Sequence, residues 1–148
     1  MIQDRKALPE NYQSRVQLRD KRGHKERELY ITGESGAEYG LILRQNDFNM
    51  LDFSIILAVC LPDSNQLFRL RRYNGKSHQH TNLIEGDTFY GFHIHYATAR
   101  YQETGCREDA FAESTDRFGD IHGAFVCMLG DCGFERPRNT QTSFLEDF

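Results

Sequence analysis

Five of the six histidines fall between positions 78 and 122, as two His-x-His pairs, His78/His80 and His93/His95, and a lone His122. On a β-strand such a pair puts both imidazoles on one face about 7 Å apart, which suits metal ligation or acid–base work at the two ends of a bond. Imidazole titrates near neutrality, so one ring can accept a proton while its neighbour donates one. Arg69, Arg71, Arg72 and Lys76 lie in a stretch, residues 69 to 80, that contains no acid, and guanidinium offers paired donors to phosphate oxygens. These types match metal-independent RNA cleavage. That reaction needs a base for the 2′-hydroxyl, an acid for the departing 5′-oxygen and a cation for the phosphorane charge. His93 and His95 are the candidate catalytic pair.

Metal ligation by the same histidines would need further ligands, which His78, His80, His122, Glu85, Asp116 or Asp120 could supply. The chain has no Cys-x-x-Cys or His-Glu-x-x-His motif, and Cys127 and Cys132 are poorly spaced for a shared ion. The reading carried forward therefore assigns no metal and no cofactor. The segment from Arg71 to Lys76 mixes cations with Tyr73, as surfaces that contact unpaired bases do. Arg69, Arg71, Arg72, Tyr73, Lys76, His78 and His80 are accordingly the candidate nucleic-acid-binding residues. Asn74 and Gly75 are an ordinary turn signal, so the segment equally fits a strand end entering a solvated turn. Tyr90, Tyr96 and Tyr101 read as half-buried packing residues.

The elements that must hold these side chains read as strands. Phe53 to Leu61 is apolar on both faces and predicts a central strand, and Gln66 to Tyr73 alternates with period two after the Pro62 to Asn65 turn. Phe68 and Leu70 are expected on one face, Arg69 and Arg71 on the other. Thr88 to Tyr96 repeats the pattern, with Phe92 and Ile94 inward and His93 and His95 outward. If the two strands are neighbours, one sheet face presents Arg69, Arg71, His93 and His95 together. Arg15 to Thr32 predicts an entry hairpin, Tyr39 to Arg44 a further strand, and Cys106 to Glu113 an acidic loop. Ser114, Thr115 or Asp116 is expected to cap a helix running to about Gly130. The expected fold class is α+β: a mainly antiparallel sheet of about five or six strands with a C-terminal helix packed on one face. Residues 1–148 read as one domain, with 1–14 and 137–148 as loose termini.

Composition narrows the function classes. The 148 residues, 39% hydrophobic with 11 Phe and 7 Tyr, suffice for a core without disulfides or metal. The longest apolar run, Ile55 to Leu61, is far short of a membrane span, and the N-terminus is polar. A cytoplasmic protein with four reduced cysteines and no membrane association is expected. Net charge is -4, but unevenly spread: residues 1–30 carry eight Lys/Arg against five acids, whereas from residue 81 onward twelve acids face five arginines.

With Arg72, Tyr73 and Asn74, then His78 and His80, then Phe92 to His95, the region 66–134 resembles a small prokaryotic family of unknown function. More distantly, the same order resembles TumE-type toxins of toxin–antitoxin modules. The resemblance implies a protein that acts on nucleic acid, with a cognate antitoxin as partner, in a mobile-element or defence setting. Two function classes follow. One is an RNA-acting or RNA-binding protein, a ribonuclease in its enzymatic form, alone or as a homodimer. The other is a non-enzymatic inhibitor from a phage or mobile element, antitoxin-like or anti-defence, whose acidic half, including Glu108/Asp109 and Asp116/Asp120, engages a basic protein.

Overall fold

The computed structural model describes residues 1–138. In chain order the elements are β1 (Lys6–Ala7), α1 (Tyr12–Arg15), β2 (Arg19–Lys21), β3 (His24–Thr32), β4 (Glu38–Asn46), β5 (Phe53–Cys60) and β6 (Leu67–Asn74). They continue as β7 (His80–Thr81), β8 (Thr88–Phe89), β9 (His93–Tyr96), α2 (Ala99–Glu103), β10 (Phe111–Ser114), α3 (Ile121–Asp131) and β11 (Phe134–Glu135). Seven of the strands form one antiparallel sheet in the order β10-β9-β6-β5-β4-β3-β2. No helix among the described residues is long and apolar enough to cross a membrane, and the four cysteines are free.

The central strand is β5, and its alternation explains the layering. Phe53, Ile55, Leu57 and Val59 join the main core with Leu41 and Leu43 of β4, Tyr73 of β6 and Ile94 of β9. Helix α3 closes that face with Ile121, Ala124, Phe125, Met128 and Leu129. Ile56 and Ala58 are buried on the opposite side of β5, so this strand is covered on both faces. Asp120, not an earlier residue, caps α3, its carboxylate accepting the Gly123 N–H at 2.7 Å. The stretch expected as an acidic loop supplies β10, so the sheet has seven strands where five or six were expected.

Residues 1–14, expected to trail loosely, are built into the fold. β1 pairs in parallel with β11, and Leu8 and Tyr12 enter the core. The fully buried Lys6 ammonium is enclosed by the carbonyls of Met1, Ile2, Asp4 and Cys132 at 2.7–3.0 Å and lies 4.5 Å from the Tyr39 ring centroid. A buried cation demands such partners, and these tie the N-terminus to the end of α3. Most of the C-terminal stretch expected to be loose lies outside the described residues.

Candidate metal centre

Strands β6 and β9 are neighbours, with Arg72 opposite His95 and Asn74 opposite His93. The expected common face forms only in part. The β5–β6 register shifts between Leu57 and Ala58, which pair with Arg71 and Arg69, so Leu70 is an extra residue on β6. Such a bulge reverses side-chain parity beyond it. Arg69 and Arg72 therefore share the face of His93 and His95, while Arg71 turns to the helix side, its guanidinium 4.9 Å from the Tyr96 ring centroid. Tyr73, also on the helix side, is wholly buried and donates from its hydroxyl to Asp131 at 2.5 Å, so it offers no face to RNA.

His93 and His95 point away from the main core, as expected of the strand, yet both are buried. The cover is the β7–β8 hairpin, in which His80 pairs opposite Phe89. The His80 ring stacks on His93 at 5.5 Å between centroids and meets His95 edge-on at 4.9 Å, and Phe89 packs against His93. The continuous strand expected over Thr88 to Tyr96 is broken at Tyr90–Phe92, which lets β8 fold back over β9. His80, His93 and His95 each offer a ring nitrogen, and these three nitrogens lie within 4.8 Å of one another.

Each ring also has one nitrogen committed to a carbonyl-type oxygen. His93 Nδ1 donates to the Gly91 carbonyl at 2.9 Å and His95 Nδ1 to the Asp109 carbonyl at 2.8 Å. His80 Nε2 lies 2.8 Å from Asn82 Oδ1. The Asn82 amide is oriented by Ala112, whose N–H it accepts at 2.9 Å and whose carbonyl it donates to at 2.8 Å. Oδ1 is therefore the acceptor, and His80 Nε2 must carry the hydrogen. The nitrogens not engaged by these oxygens are His80 Nδ1, His93 Nε2 and His95 Nε2. Asn74 Nδ2 makes a long contact of 3.4 Å to His93 Nε2, its own Oδ1 being taken by Ser54.

Burial, then the nearby cation of Arg72 and the neighbouring rings, pushes the His95 pKa down to about 2. His93 is lowered mainly by burial, with His80, Arg72 and His78 adding to it against the Gly91 carbonyl. Both rings are thus neutral at physiological pH, the form that ligates metal. Imidazole donors suit zinc, iron, copper or nickel, and second nitrogens held by carbonyls are the usual support of a ligating histidine.

The cluster opens on a cleft of about 310 Å³ whose walls include Asp52, Ser54, Arg72, Asn74, Ser77, His78 and Gln79. His78 is exposed on this wall, and Lys76, two residues earlier, is exposed as well. The Asp109 carboxylate is fully buried beside three guanidiniums, with Arg72 Nε at 3.2 Å, Arg69 Nε at 3.7 Å and Arg107 Nε at 3.8 Å. Sequence reasoning missed Asn82, Asp109, Gly91 and Asn74 as supports of the cluster. Two of these act through backbone carbonyls, which leave no trace in residue type.

No protein-family model matches the chain, and no significant match to it was found among curated proteins or solved structures. The fold and the cluster define it as a largely antiparallel sheet protein with three converging histidines beside a half-buried arginine.

Proposed function

We propose that the protein is a metal-dependent enzyme acting on RNA, with one divalent transition-metal ion held by His80, His93 and His95. The observation that carries this reading is that one ring nitrogen from each of three histidines lies within 4.8 Å of the others beside a cleft, while each ring is oriented by a carbonyl-type oxygen on one of its nitrogens. Three protein ligands with the remaining position toward an open cleft is the arrangement of a hydrolytic centre, where the metal lowers the pKa of bound water to near neutrality. Arg72, on the cleft wall, supplies positive charge for an anionic phosphodiester. Metal-independent cleavage by His93 and His95 is less well supported, because it asks one of two buried rings to hold a proton that burial resists. The prokaryotic-module setting and a cognate protein partner rest on the resemblance of residues 66–134.

The inhibitor reading draws less support. Of its two acidic clusters, Glu108/Asp109 is engaged by arginines rather than presented as a free acidic surface. The test is elemental analysis of purified protein, followed by metal-dependent cleavage of single-stranded RNA. One metal per chain is expected, lost in His80→Ala together with cleavage. Folded wild-type protein that takes up no zinc or cobalt rules the centre out, and metal-loaded protein that leaves RNA intact rules out the substrate.

A further inference from the structure

We propose that a second cavity, walled by Lys76, Ser77, His78, Tyr90 and Gly91, is a nucleobase subsite that places a nucleotide's phosphate in the adjoining histidine cleft. The proposal rests on the functional reading above and names the substrate unit that site would take.

The cavity has a volume of about 240 Å³ and shares Ser77 and His78 with the cleft, so one ligand can occupy both. Tyr90 is 69% exposed, not half-buried as its place in the sequence suggested. Its hydroxyl nevertheless donates to Gln79 Oε1 at 2.7 Å, and Gln79 lines the histidine cleft. A large ring left in solvent but held at its tip has a fixed orientation and an uncovered face, which is what base stacking uses. Gly91 follows, with open space where a side chain would project, and its carbonyl orients His93. The stacking ring is therefore one residue from a group that positions a ligand of the centre.

The opposite wall is equally fixed. Gly75 N–H donates to Phe53 O and Lys76 N–H to Leu51 O, each at 2.9 Å. A side chain at position 75 would meet Leu51 O at 1.8 Å, so glycine is required for this approach. Lys76 Nζ lies 6.0 Å from the Phe92 ring centroid. Among the described residues no carboxylate lines this cavity, and the cleft's Asp52 already accepts from Ser77 Oγ at 2.9 Å. An ammonium and an open aromatic face beside a guanidinium-bearing cleft match a ligand with a flat apolar base and an anionic phosphate.

The test compares adenosine 5′-monophosphate with ribose 5-phosphate by calorimetry on full-length zinc-loaded protein. The nucleotide is expected to bind about 5- to 150-fold more tightly, the span that stacking on one aromatic provides. Tyr90→Ala should bring that ratio close to one while leaving ribose 5-phosphate binding unchanged, and Tyr90→Phe should retain most of it. A ratio near one in the wild type, or the same ratio in Tyr90→Ala, overturns the subsite, as does binding of neither compound by metal-loaded protein. Failure to take up zinc overturns the centre instead. The same pair of ligands then decides the subsite on metal-free protein, because stacking needs no ion.

Discussion

The side-chain oxygen of Asn82 lies 2.8 Å from His80 Nε2 and accepts the Ala112 N–H at 2.9 Å, so one buried amide joins the hairpin that carries His80 to the edge strand of the sheet. Asn82 Nδ2 closes the pair on the Ala112 carbonyl at 2.8 Å. With its amide so fixed, Asn82 both sets which nitrogen of His80 is free and keeps the hairpin over His93 and His95.

Asn82→Ala should lose on both counts. Outer-shell partners of metal-bound histidine are worth about 10- to 100-fold in affinity, and a zinc titration against a competing chelator should show a loss of that size. Stability should fall as well, since the Ala112 N–H and C=O would be left buried without partners, at about 1–3 kcal/mol for each unsatisfied group. His80→Ala should abolish zinc binding while leaving the Ala112 pairing intact. Folded Asn82→Ala protein with wild-type zinc affinity would reduce Asn82 to a strut.

The Asp109 carboxylate is expected to be the most costly single group to remove. It has no solvent exposure, and the Arg72 side chain beside it is only 20% exposed. Breaking a buried ion pair from one side leaves an uncompensated charge, typically at about 3–5 kcal/mol. Asp109→Asn should lower the urea midpoint correspondingly, with no change in slope. Replacing both partners, Asp109→Leu with Arg72→Met, should cost less than the two single changes added together. The His95 hydrogen bond goes to the Asp109 backbone, so Asp109→Asn protein that still folds should still bind zinc. Additive losses in the double variant would mean that the two groups are not coupled.

The parts of this fold that were legible in sequence are those governed by short-range pattern. The apolar run Phe53 to Leu61 and the period-two alternation of Gln66 to Tyr73 mark the β5–β6 hairpin to within one residue at each end. His93 and His95 were correctly placed on the face away from Ile94. Counting by twos failed at Leu70, because an inserted residue reverses parity and its cause lies in the partner strand. Arg71 was therefore expected where Arg72 stands. The union of His80 with the second pair was not legible either. It depends on a chain reversal through Leu83–Asp87 and on an amide bonded to a residue 30 positions away. β10 was hidden for a similar reason: Glu113 and Ser114 are exposed at the sheet edge, and only Ala112 is buried. An edge strand of this kind carries little apolar signal.

Acid should destabilise the metal-free protein in two separable windows. Burial first, then Arg72, holds His95 at about 2, and His93 is lowered in the same direction. Below an ordinary imidazole pKa of about 6.5, the unfolded chain takes up protons that these folded rings refuse. Stability is therefore complete above that value and falls with pH, at about 1.4 kcal/mol per pH unit for His95 and in the same direction for His93. Asp131 titrates lower. Its burial would raise the carboxyl, but the Arg117 fork at 2.8 and 2.9 Å and the Tyr73 hydroxyl outweigh this and hold it below its usual range. Its contribution is present above an ordinary Asp pKa of about 3.9 and is lost as pH falls below that. Urea unfolding of chelator-treated protein at pH 7 and pH 5 isolates the histidines. The wild type should lose about 2 kcal/mol from His95 across that interval, as the linkage slope requires, with a further loss in the same direction from His93. His95→Gln should lose that much less, and Asp131→Asn should lose as much as the wild type. The His95 ring resonances should meanwhile keep their neutral positions down to pH 5. Protonation of His95 in the folded state near pH 6, seen in those resonances, would mean that the ring is not buried beside Arg72 and the neighbouring histidines, and the three-histidine geometry would fall with it.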